Sequence, residues 1–170
     1  MKKRNEKVDI LVMIKLAETL LTRNEYKKAK TILEKVLDLD KRNPEAYYLL
    51  GEALCKEELF QEAVTSLKIA NTLLPNHPRI LHLLGWSTFM YGDAKVGRKY
   101  MKLALEKIPD DIQILSDLAA LENKEGRYEE AMEYIQKAMS VDPRNPMVQE
   151  LFHVTSFMNK LHDEISTKVN

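Results

Sequence analysis

The sequence is poor in the residues that punctuate or cross-link a fold. Cysteine occurs once in 170 residues, as Cys55. A single thiol cannot close an internal disulfide, so the fold does not depend on an oxidising compartment. Five glycines and six prolines are few, and they stand at regular places rather than in clusters. That scarcity argues against a disordered chain and against a β-rich fold with many turns. Excess charge of either sign is missing as well: Lys plus Arg and Asp plus Glu each number 26, and the formal net charge is zero. A nucleic-acid-binding domain ordinarily has a basic face and a high pI, so a pI near 6.9 disfavours that class. No window reaches the roughly 18 uncharged apolar residues of a membrane span. Lys2, Lys3 and Arg4 look like the start of a secretory leader, but Lys15 and Glu18 interrupt the apolar run from Ile10 to Leu21, and no signal peptide is expected. The expectation is a cytoplasmic protein without membrane insertion, built as one domain or one short array.

Signals for chemistry are equally sparse. The histidines are His77, His82, His153 and His162, and neither they nor Cys55 fall at a zinc-ligand spacing. There is no GxGxxG and no phosphate-binding loop. The acidic pairs Glu57-Glu58, Asp110-Asp111 and Glu129-Glu130 sit at turns or helix starts, where carboxylates are solvated and suit the helix dipole. Cys55 and His82 could approach as nucleophile and base only at hydrogen-bond distance with a third, orienting group. The reading is therefore no enzyme, no metal and no cofactor.

What the chain does have is a period. Pro75, Pro109 and Pro143 are 34 residues apart, as are Gly51 and Gly85, and Ala70, Ala104 and Ala138. Four blocks in unbroken register result, 10–43, 44–77, 78–111 and 112–145, after a charged arm at 1–9 and before a tail at 146–170. Each block reads as two amphipathic helices. In the second, Tyr47, Leu50 and Leu54, then Leu59, Ala63, Leu67, Ala70 and Leu73, recur at steps close to three and four. Pro75, Pro109 and Pro143 end blocks because proline cannot continue a helix, and Pro44, Pro78 and Pro146 open helices at the first turn, where a missing N–H costs little. Gly92 and Gly126 stand where a helix end favours a left-handed residue.

On these residues the chain resembles the tetratricopeptide repeat family, whose 34-residue pattern is W-x2-L-G-x2-Y, then A-x3-F, then P. The second block reads Tyr47-x2-Leu50-Gly51-x2-Leu54, Ala63-x3-Leu67, Pro75, and the fourth reads Leu115-x2-Leu118-Ala119, Ala131-x3-Ile135, Pro143. The first has Leu16-Ala17 and Ala29-x3-Leu33, with Lys41 in place of proline. The small residues at the eighth and twentieth positions (Ala17, Gly51, Gly85, Ala119; Ala29, Ala63, Gly97, Ala131) would let the two helices of a block cross closely. The resemblance implies an all-α, right-handed superhelix of four helix-turn-helix repeats, with residues 146–170 supplying a C-terminal capping helix. It also implies a protein-protein interaction module: an adaptor, scaffold or co-chaperone that holds a peptide or helical segment in its concave groove. Small chaperones of type III secretion are a second reading within that class.

The resemblance further implies that positions 2, 5, 9, 12 and 13 of each block face the groove. They select Tyr48, Glu52 and Cys55 from the second block, Arg79, His82, Trp86, Phe89 and Met90 from the third, and Asn123 from the fourth. The third block departs most from its siblings: Thr88, Ala94 and Gly97 are small at interior positions, while Trp86, Phe89 and Met90 appear at groove positions. Tryptophan and arginine are common binding anchors. The competing expectation is that Trp86 and Phe89 turn inward and fill the space left by Thr88 and Gly97. One class of the family clamps acidic chaperone tails with lysine at position 5 and asparagine at position 9. Here those positions hold Ile14 and Glu18, then Tyr48 and Glu52, so an acidic tail is not the expected partner. Ile10, Leu11 and Ile14, with Phe157 in the tail, are more apolar than exposed ends require. They suggest either extra packing or end-to-end association of chains into a homo-oligomer.

Overall fold

A computed structural model describes residues 2–169. Nine helices follow one another among the described residues: α1 (Lys2–Thr22), α2 (Tyr26–Leu39), α3 (Pro44–Lys56), α4 (Phe60–Leu73), α5 (Pro78–Tyr91), α6 (Ala94–Lys107), α7 (Ile112–Lys124), α8 (Tyr128–Val141) and α9 (Pro146–Val169). The segment expected as a separate arm is helical from Lys2 and continues into the first helix of the first repeat.

Helix starts are written locally. The Asn43 and Asp111 side chains each accept the N–H of the residue three along, Ala46 and Ile114, at 2.9 Å. Asp93 does the same for Val96, and Asn145 for Val148 at 3.3 Å. Each bond satisfies a donor that the first helical turn leaves free. The turn inside every repeat passes through a left-handed residue at the same register: Asn24 (φ 60°), Glu58 (φ 60°), Gly92 (φ 117°) and Gly126 (φ 74°). Glycine takes that conformation without a Cβ penalty, whereas Glu58 bears it.

Each first helix packs against its own second helix and against the second helix of the preceding repeat, and α1, α3, α5, α7 and α9 touch side by side. The chain is thus an all-α solenoid. Its apolar interior forms four clusters along the array: around Leu33 and Val36, around Leu67 and Leu84, around Met101 and Leu118, and around Ile135 and Val148. The third position of a repeat is buried in Ala46, Ile80, Ile114 and Val148, and the tenth in Ala53, Ser87, Leu121 and Thr155. Their counterparts in α1, Val12 and Thr19, are exposed because no repeat precedes them among the described residues. Ile14, expected to serve association, is instead buried in the first cluster, and Ile10 packs partly against it.

Candidate functional site

The side-by-side first helices make one face of the array. On it a cleft of about 480 Å³ is lined by Tyr48, Glu52 and Lys56 from α3, by Arg79, His82, Leu83 and Trp86 from α5, and by Gln113 and Asp117 from α7. A second cleft, about 350 Å³, lies between α1 and α3 and includes Lys15, Glu18 and Leu21. Both clefts include Glu52 and Arg79, so the two join into one trough.

Its polar side chains are held before any ligand arrives. The Arg79 guanidinium lies 4.8 Å from the centre of the Tyr48 ring, a cation–π distance. Burial, reinforced by the Glu52 carboxylate, pushes the Tyr48 phenol above its usual range, while Arg79 pulls it down. His82 Nε2 is 2.6 Å from Asp117 Oδ2, and Gln113 Nε2 donates to Asp117 Oδ1 at 3.0 Å. This pair joins the third repeat to the fourth. Trp86 is half-buried, meets the trough on one side, and meets Phe89 edge-on with ring centres 5.6 Å apart.

Five of the residues expected from the sequence therefore share the larger cleft: Tyr48, Glu52, Arg79, His82 and Trp86. The others are placed elsewhere. Phe89 is only 5% exposed and belongs to the core. Its backbone N and Cβ lie where a Cβ on Gly97 would be, at 2.8 and 2.9 Å. The inward alternative thus describes Phe89, with Lys124 Nζ 5.0 Å from its ring centre, and Trp86 remains at the surface of the same cluster. Met90 is half-buried against that cluster. Asn123 turns toward the tail helix, where its Nδ2 donates to Thr155 Oγ1 at 2.7 Å.

Cys55 is half-buried with Sγ 2.8 Å from Ser87 Oγ. Ser87 has one hydroxyl proton, which it donates to Leu83 O at 2.6 Å, so the thiol donates to Ser87. Burial pushes the thiol above its ordinary range, which favours the unreactive protonated form. With His82 engaged by Asp117, Cys55 and His82 have separate partners and form no nucleophile–base pair. Asp117 and Leu83 were missed in the sequence. The offsets that would find such contacts are 35 residues for His82–Asp117 and 32 for both Cys55–Ser87 and Asn123–Thr155. They make sense only once first helices are known to stack. Among the described residues no group of three or more His, Cys, Asp or Glu side chains is placed to hold a metal ion. No described helix is long and apolar enough to cross a membrane.

Comparison with known proteins places this architecture. Two models described as "Tetratricopeptide repeat" match residues 20–86 and 112–145, together more than half of the chain. The chain is 31% identical over 115 residues to TPR repeat-containing protein MJ1428 of Methanocaldococcus jannaschii, covering 66% of this chain and 20% of that protein. It is 30% identical over 132 residues to interferon-induced protein with tetratricopeptide repeats 2 of Cricetulus griseus, covering 75% and 28%. The chain thus spans less than a third of either relative. Among solved structures, MamA 41-end from Desulfovibrio magneticus RS-1 superposes with a TM-score of 0.79 at 23% identity, covering 94% of this chain and 88% of that one. TTC0263, a thermophilic TPR protein in Thermus thermophilus, gives 0.76 at 21%, covering 85% and 80%. At those identities the structural likeness concerns the fold alone.

Proposed function

Because this chain belongs to the tetratricopeptide repeat family, a fold that supports protein-protein interaction, we propose that it binds a peptide or helical segment of another protein in the trough across α1, α3, α5 and α7. The adaptor or scaffold role follows from that binding. The observation that carries the reading is the joined pair of clefts sharing Glu52 and Arg79, with Tyr48, Arg79 and Trp86 presented together on rigid helices. Side chains already fixed by their neighbours lose little freedom on binding, and tryptophan, tyrosine and arginine are the usual anchors of interface energy. Glu18, Glu52 and Asp117 stand in the trough beside Lys15, Lys56 and Arg79, three carboxylates to three cations. That balanced lining suits a segment offering apolar side chains with polar groups of both signs.

Affinity capture from the source cells tests this, comparing wild type with Arg79→Ala/Trp86→Ala. The two substitutions spare the buried Phe89. Circular dichroism must first show unchanged helicity and melting. A protein held by wild type, and bound about 30-fold more weakly by the variant in calorimetry, matches loss of an anchor contributing about 2 kcal/mol. Equal binding by both proteins would remove the trough as the site.

A further inference from the structure

His82 lines the larger cleft with one ring nitrogen engaged and the other free. Its Nε2 is 2.6 Å from Asp117 Oδ2. The other carboxylate oxygen, Asp117 Oδ1, accepts from Gln113 Nε2. An ionised carboxylate has no proton to give. The ring must therefore be the donor, and its proton sits on Nε2. Side-chain exposures of 19% for His82 and 16% for Asp117 keep this bond largely out of water.

A proton fixed on Nε2 makes Nδ1 of the neutral ring an acceptor. Among the described residues no group hydrogen-bonds to Nδ1, and it is not buried. The charged and titratable groups that line the cleft with it are Tyr48, Glu52 and Lys56 on α3, Arg79 on α5 and Asp117 on α7. α4 and α6, which also pack on α5, contribute no side chain to the cleft. Over the whole trough Lys15, Lys56 and Arg79 balance Glu18, Glu52 and Asp117, so the charge of this ring decides the sign of the lining. Histidine is the side chain that changes charge between about pH 5 and 8. Protonation puts an N–H on Nδ1 and leaves the trough with one cation in excess.

We propose that His82 selects the occupant of the trough and makes its binding pH-dependent: the bound segment donates an N–H to Nδ1, and acidification releases it by putting a proton there. This inference rests on the trough reading and adds to it the polarity of one contact. A segment that meets Nδ1 near neutral pH has to donate, because the neutral ring offers only an acceptor. An extended segment has such N–H groups along its backbone, and a helical one brings them on Asn, Gln or Lys side chains. Once Nδ1 carries a proton, donor faces donor and the bond is lost. The added positive charge also repels any cation on the segment. Asp117 is the positioning residue. By accepting from Nε2 it keeps the neutral ring in the tautomer that presents Nδ1 as an acceptor.

The tautomer is read directly on the full chain. Imidazole nitrogen NMR near pH 8 should show the neutral His82 ring protonated on Nε2 alone, and Asp117→Asn should give a mixture of tautomers. A wild-type ring protonated on Nδ1 would overturn the proposal. Binding is read with short histidine-free peptides selected from a random library on the wild-type chain near pH 7.5, keeping those that Arg79→Ala/Trp86→Ala fails to hold. Wild type should bind them about tenfold more weakly near pH 5.5, the effect of one hydrogen bond turned donor against donor. His82→Asn keeps an acceptor close to the place of Nδ1 that does not titrate. With unchanged helicity it should bind nearly as tightly as wild type at the higher pH and hold that affinity at the lower. A flat wild-type profile, or the same fall in His82→Asn, would sink this inference and leave the trough in place. If no selected peptide depends on Arg79 and Trp86, both readings fall.

Discussion

Glu122 occupies the eleventh position of its repeat, where the others have Leu20, Leu54 and Thr88. It is 2% exposed, and a buried carboxylate is tolerated only when paired. Arg98 of α6 supplies Nε at 2.6 Å and Nη2 at 3.1 Å, and Arg127, in the turn before α8, supplies Nε at 2.5 Å. Arg98→Ala leaves the charge buried with half its partners. Breaking such a pair costs about 3–5 kcal/mol, and a chain of this size loses about 2–4 °C of melting temperature per kcal/mol. A fall on the order of 10 °C is expected in thermal unfolding followed by circular dichroism. Glu122→Leu should be milder, since it restores the residue of the first two repeats and frees two arginines with 18% and 36% side-chain exposure. If both variants melt alike, the uncompensated charge is not what matters. The sequence alone leaves Glu122 to reach solvent or to pair with a nearby Lys or Arg, and it does not single out Arg98, which belongs to the preceding repeat.

At the scale of the helix pair, the third repeat is closed by glycine against glycine. A Cβ on Gly97 would lie 2.7 Å from Gly85 O and 2.8 Å from Phe89 N, both backbone atoms. A Cβ on Gly51 would meet the side chain of Leu67, with Cγ at 2.5 Å. Backbone cannot swing aside, whereas leucine can change rotamer. Gly97→Ala should therefore destabilise by about 1–3 kcal/mol or more in urea unfolding, the range for overpacking. Gly51→Ala should lose less, because alanine also regains about 1 kcal/mol of helix propensity. The reverse order would mean that α5 and α6 can slide apart. This crossing also explains the misplacement of Phe89. Small residues at the eighth and twentieth positions were legible as a helix crossing, but the sequence does not give the approach distance. Gly97 looked like a vacancy to be filled or left. In the structure the helices close over it, and the backbone of Phe89 comes with them.

For the whole molecule, the 34-residue period carried the architecture, because every block repeats the same steps, turns and small residues in register. The trough was legible in part: first helices supply it, and Tyr48, Arg79, His82 and Trp86 point to it. The His82–Asp117 and Cys55–Ser87 contacts were not, since they depend on how one repeat is set against the next. The four apolar clusters give the array a nearest-neighbour interior, and such arrays open piecewise. Hydrogen exchange should reflect this, with Gly97→Ala lowering protection in α5 and α6 while α2 keeps wild-type rates. Uniform loss across the chain would contradict separate clusters.

The trough crosses the seams between those clusters. Glu52 and Arg79, shared by its two clefts, stand on helices of different repeats. A segment lying along them would act as a splint across joints that can otherwise open one at a time. Its binding would be felt as lengthened cooperativity, with neighbouring repeats breathing together rather than singly.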